Sequence, residues 1–129
     1  MTLATSRPDP DSLRIGLNDV SDAKTLPAPM LLNPAGKDYL WGGTRLKTEW
    51  NRAIDLNPLA EAWECSAHPD GPSEIISGAF QGCTLDTVLE AYPEFLGTKQ
   101  RDSFGAMPIL LKLIDANKDL SVQVHPTDA

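Results

Sequence analysis

Three polar side chains able to ligate a metal or hydrogen-bond a small molecule recur at every second position near the end of the sequence: Ser121, Gln123 and His125. Leu120, Val122 and Val124 alternate with them, the period of a half-buried strand whose two faces differ in polarity. On the polar face a hydroxyl, a carboxamide and an imidazole would follow one another about 7 Å apart. Pro126 has no backbone donor and would end the ladder just after the imidazole, placing it at a strand end. On residue type alone, this histidine is as readily a rim or core residue as a ligand. The glutamine adds little, because amide oxygens are uncommon zinc ligands.

A fourth polar group, Lys112, interrupts the apolar run Ile109-Leu110-Leu111-Lys112-Leu113-Ile114-Asp115. A lone ammonium in such a strand is costly unless it meets an anion or snorkels to water. If residues 109–115 and 120–125 form an antiparallel hairpin, a two-residue or four-residue loop gives the same register. Asp115 then faces Leu120, Ile114 faces Ser121, Lys112 faces Gln123 and Leu110 faces His125. Opposed residues share a face, so Lys112 would emerge beside Gln123, between Ser121 and His125. An odd-length loop would turn it to the other side.

These groups need a scaffold. The chain has 129 residues, of which 41% are hydrophobic, enough for one small soluble domain with its own core. A net charge of −7 argues against nucleic acid or an anionic membrane as partner, and requires local cations for any anionic substrate. The apolar runs are too short to span a bilayer. The N-terminus lacks the basic-then-apolar pattern of a signal peptide. Cys65 and Cys83 form no C-x-x-C pair, and a reducing cytoplasm is the expected setting.

Residues 1–25 are rich in Pro, Asp and Ser and predict a flexible N-terminal extension. The three prolines of residues 26–34 predict an extended edge segment. Trp41-Gly42-Gly43 predicts a tight turn or a close backbone approach. A short helix is expected around residues 47–54, ended before Pro58. Strands are expected near 62–67 and within 73–80, separated by the turn residues Pro69-Asp70-Gly71-Pro72. Residues 84–91 give the strongest helix signal, with Thr84 as N-cap, Asp86 in the first turn and Leu85, Val88 and Leu89 as an apolar stripe, ended by Pro93. A polar loop over 97–107 leads into the buried-looking strand 109–115. The fold class expected is mainly β with one or two short helices.

Four motifs occur in order: Trp41-Gly42-Gly43, Glu61-x-Trp63-Glu64-x-Ser66, Pro108-x-Leu110-Leu111-Lys112-x-Ile114-Asp115-Ala116, and Leu120-Ser121-Val122-Gln123-Val124-His125-Pro126-x-Asp128. Together they resemble the N-terminal part of type I mannose-6-phosphate isomerases (phosphomannose isomerases), zinc enzymes of the cupin fold. The resemblance covers about residues 29 to 129, and its last motif is the most specific. It implies that residues 26–129 are the N-terminal part of a cupin-type jelly roll. It makes Gln123 and His125 two of four protein ligands of one Zn2+, and Lys112 and Ser121 residues of the substrate pocket, with Ser121 on the phosphate side and Lys112 catalytic. Glu61 and Trp63 read as structural, and Ser66 and His68 lie near the site without an assigned role.

The implied reaction interconverts mannose 6-phosphate and fructose 6-phosphate, moving a proton between C2 and C1 through an enediol. In the family a glutamate ligand, a second histidine ligand, a catalytic arginine and a phosphate-binding cation follow later than residue 129. The sequence therefore resembles the front of a longer protein, and these 129 residues alone are expected to hold little zinc and to show no turnover. Two alternatives stand beside the enzyme. One is a cupin module that binds a sugar phosphate or metal without catalysis. The other is a β-rich structural domain in which Lys112 snorkels and His125 lies at a rim.

Overall fold

The computed structural model describes residues 28–97 and 106–122, and among these described residues there are short strands, two short helices and two 3-10 turns. The expected extension over 1–25, most of the 97–107 loop and the residues Gln123, Val124, His125 and Pro126 lie outside the described residues. The strands are β1 (Leu32–Asn33), β2 (Ala35–Lys37), β3 (Glu61–Cys65), β4 (Glu74–Ile75) and β5 (Leu111–Ile114). The helices are α1 (Arg45–Thr48) and α2 (Leu85–Ala91). β1 pairs with β4, and a three-stranded sheet has the order β2-β3-β5. Two compact units divide the chain, which crosses between them within β2, within β3 and at the start of β5.

The first unit takes its described residues from 28–35, 63–97 and 106–111. Its core joins Ile75, Phe80 and Val88 to Met30, Leu32, Cys83, Tyr92 and Phe95. β1 and β4 run antiparallel, with Leu32 opposite Ile75 and Asn33 opposite Glu74, so Leu32 and Ile75 enter this core together. Phe80, Tyr92 and Phe95 form a triangle of rings with centroids 5.2 to 5.8 Å apart, in the tilted and offset range aromatic pairs favour. α2 buries Leu85, Val88 and Leu89 as its apolar stripe predicted. Thr84 holds the extended N-cap backbone, but its hydroxyl bonds the Thr87 hydroxyl at 2.8 Å instead of a helix amide. The Thr87 amide donates to the Asp86 carboxylate at 2.8 Å. Pro93 ends α2 and opens a 3-10 turn over Pro93–Leu96. The strand expected within 73–80 is only Glu74–Ile75; a 3-10 turn at Gly78–Phe80 takes the rest, and Ile76 is exposed.

The second unit takes its described residues from 36–62 and 112–122. Leu46, Leu59 and Ala62 form its core, with Ile54, Leu56 and Leu113 against them. The helix expected around 47–54 is a single turn, Arg45–Thr48, because Asn51 follows with a left-handed φ of 52° and breaks the helical path. The Trp41-Gly42-Gly43 turn is a close approach on both glycines. A Cβ on Gly42 would stand 2.5 Å from the Ala60 Cα, and one on Gly43 would meet the Asp115 carboxylate.

Two expectations at the end of the chain are corrected. The strand over 109–115 is not buried: β5 leaves Leu111 59% exposed and Ile114 exposed among the described residues. An apolar run states what a strand is able to bury, not which neighbours cover it. The hairpin is also absent from the described part of 120–125. Leu120, Ser121 and Val122 are in no strand, and Val122 is 97% exposed. The Asn117 and Lys118 amides both donate to the Trp41 carbonyl, at 2.9 and 3.1 Å, and Ala116 bridges Gly42. The turn residues Asn117 and Lys118 are therefore tied to the Trp41 carbonyl, and the Asp115 amide donates to Ala60.

Candidate functional site

Lys112 sits on β5, and its Nζ lies 3.1 Å from each carboxylate oxygen of Glu61 on β3. The strands are neighbours in the sheet. The Glu61 side chain is 6% exposed and that of Lys112 is 35% exposed. Lys112 therefore does not snorkel alone. Its stem crosses to a buried carboxylate while one side remains open to solvent. A buried carboxylate needs such a partner, because removing a charge from water costs on the order of several kcal/mol unless the ion is paired and hydrogen-bonded.

Local structure fixes both ends of this pair. Glu61 stands between Ala60 and Ala62, both fully buried. The Ala60 amide donates to the Lys37 carbonyl at 2.8 Å, and the Ala60 carbonyl accepts the Asp115 amide at 2.9 Å. Gly42 packs its bare Cα against Ala60. On the β5 side, buried Asp115 accepts the Arg45 amide at 2.7 Å, in the space the missing Cβ of Gly43 leaves open. The Trp-Gly-Gly motif thus pins the backbone just before Glu61 and beyond Lys112. Arg45 also pairs through its side chain with Glu49, at 3.0 Å on both arms. That hydrogen bond raises the guanidinium pKa and lowers the Glu49 carboxyl below its usual range.

Of the four residues singled out from sequence, Lys112 is in this pair and Ser121 lies in the exposed segment after β5. Gln123 and His125 are outside the described residues, as is any meeting of them with Lys112. Among the described residues no group of three or more His, Cys, Asp or Glu side chains is placed to hold a metal ion. A polar hollow of about 430 Å³ beside the Trp-Gly-Gly turn is lined by Gly42, Gly43, Arg45, Asn117 and Lys118, not by Lys112.

Glu61 reads from the sequence as structural, and the structure adds that it is the anion facing Lys112. A signal for this was present: one carboxylate among Leu59, Ala60, Ala62 and Trp63 poses the same problem as one lysine among leucines and isoleucines. In the first unit, the segment after β3 is held by serines. The Ser73 hydroxyl accepts the Ser66 amide and donates to the Trp63 carbonyl, both at 3.0 Å. His68 lies edge-on to Trp63, its ring centroid 5.6 Å away, and its Nδ1 accepts the Asp70 amide at 3.1 Å. Cys65 and Cys83 are free thiols, and burial pushes the Cys65 pKa up. No helix among the described residues is long and apolar enough to cross a membrane.

The chain is 45% identical over 100 residues to the probable mannose-6-phosphate isomerase GmuF of Bacillus subtilis, covering 78% of this chain and 31% of that protein. It is 38% identical over 101 residues to the mannose-6-phosphate isomerase of Streptococcus mutans, with the same coverage of both. The chain thus spans about a third of the length of these curated relatives. Among solved structures, the mannose 6-phosphate isomerase of Bacillus subtilis matches with a TM-score of 0.62 at 35% identity, over 70% of this chain and 28% of that one. The Salmonella typhimurium enzyme bound to its substrate and a zinc atom matches with a TM-score of 0.63 at 32% identity, over 74% and 24%. These neighbours have the cupin-type fold expected from the sequence, and the match lies in its N-terminal part. Residues 30–129 match the type I phosphomannose isomerase catalytic domain, and the chain belongs to that family.

Proposed function

We propose that this chain carries the front part of the active site of an aldose-ketose isomerase that interconverts mannose 6-phosphate and fructose 6-phosphate. The observation that carries the reading is the paired lysine on β5, set within a motif of a chain that belongs to this family. An enediol reaction needs a fixed positive group near the sugar oxygens, because negative charge develops there as the proton leaves carbon. Lys112 fills that role, Ser121 would face the phosphate, and Gln123 and His125 would be two ligands of a zinc ion. Zinc supplies Lewis-acid charge at the sugar oxygens when bound. The protein's own net charge of −7 repels a sugar phosphate, so these local cations carry its capture. Cytoplasmic sugar metabolism is the setting proposed for this reaction.

The test is a coupled assay of fructose 6-phosphate formation from mannose 6-phosphate, using the zinc-loaded full-length protein. Turnover is expected, and Lys112→Met should reduce kcat by about 10²-fold or more. No turnover, with mannose 6-phosphate still bound, would support the non-catalytic cupin module instead.

A further inference from the structure

We propose that Glu61 is the positioning residue of Lys112, holding its side-chain nitrogen at one place on the sheet, so that Lys112 meets a ligand as a fixed hydrogen-bond donor. The inference rests on the isomerase reading for what the ligand is, but the pairing stands on the structure alone.

Three observations carry it. Both Glu61 oxygens lie at the same 3.1 Å from Nζ, so the ammonium is centred on the carboxylate and not hung from one oxygen. The burial is unequal: the carboxylate is enclosed and the lysine is partly open, so the pair presents its cationic side to the surface. The carboxylate is also rigidly mounted, with buried Ala60 and Ala62 on either side and Ala60 hydrogen-bonded on both edges. Held in this way, Lys112 is placed to serve the sugar oxygens that gain charge in the proposed reaction.

A double-mutant cycle on kcat in the zinc-loaded full-length protein tests this with Glu61→Gln, Lys112→Met and the pair. Glu61→Gln should lower kcat roughly tenfold alone and less than about twofold in the Lys112→Met background, since residues acting as one unit are non-additive. Equal factors in both backgrounds would overturn the proposal. A second arm needs neither turnover nor a variant. Under limiting acetic anhydride, Lys112 of the unaltered protein should acylate more slowly than exposed Lys118, because its amine is held against the Glu61 carboxylate and only partly open to solvent. Equal rates would overturn the pairing. If Lys112 is protected but mannose 6-phosphate is not isomerised, the pairing survives and the isomerase reading fails.

Discussion

Two ion pairs of the second unit have nearly the same length and opposite surroundings. Arg45 and Glu49 meet at 3.0 Å on α1, with side chains 69% and 52% exposed. Lys112 and Glu61 meet at 3.1 Å between strands, with the carboxylate enclosed. Distance does not rank them; access to water does. The exposed pair can exchange each partner for solvent, so losing one costs little. The enclosed carboxylate cannot, so it depends on its cation. A motif residue can therefore be required for folding and for function through the same contact.

The largest expected effect follows from that asymmetry. Lys112→Met should destabilise the fold by about 3 kcal/mol, because it takes the ammonium away from a buried carboxylate. Glu61→Gln should cost about 1 kcal/mol, because Lys112 still reaches water and the amide oxygen still accepts. Urea midpoints of the two variants and of the double variant check this; equal losses would erase the distinction between the enclosed carboxylate and its partly open cation. Next comes Gly43→Ala, whose new methyl meets the Asp115 carboxylate and should cost about 1–3 kcal/mol by overpacking. Ser73→Ala, read by the same denaturation, should cost about 1–2 kcal/mol, since the buried Ser66 amide loses its acceptor. The smallest effect is Glu49→Gln, with no resolvable shift in midpoint at moderate salt. Glu49 has a folded pKa below its unfolded one, so its small contribution is present above the ordinary carboxylate range. It is lost as pH falls below about 4 through the lowered folded value. A carboxyl-carbon NMR titration of Glu49 that shows no lowering would remove this half of the comparison.

Local signals in the sequence located what depends on local chemistry. Thr84, the Leu85-Val88-Leu89 stripe and Pro93 placed α2 within a residue, and the Pro69–Pro72 turn placed the end of β3 within two. Trp41-Gly42-Gly43 was legible as a close approach, though not what it approached. The failures concern pairing across distance. Nothing in residues 116–119 reveals that the Asn117 and Lys118 amides donate to the Trp41 carbonyl, and over its described part, Leu120 to Val122, the expected hairpin strand does not form. Lys112 was legible as a cation needing an anion or water, but its partner lies 51 residues earlier. Ser121 was legible as a polar residue, while the strand expected to aim it is missing from Leu120 to Val122.

The double acceptance at the Trp41 carbonyl has a practical consequence for how this family motif tolerates change. Its acceptor is a main-chain oxygen, and its donors are main-chain amides of Asn117 and Lys118. Side-chain scanning across those positions would be nearly silent, since alanine keeps every atom of the junction. Adding or deleting one residue between Ala116 and Leu120 would instead shift the departure point of everything after it, including the residues proposed to grip phosphate and metal. Loop length, more than loop composition, is the quantity under constraint there.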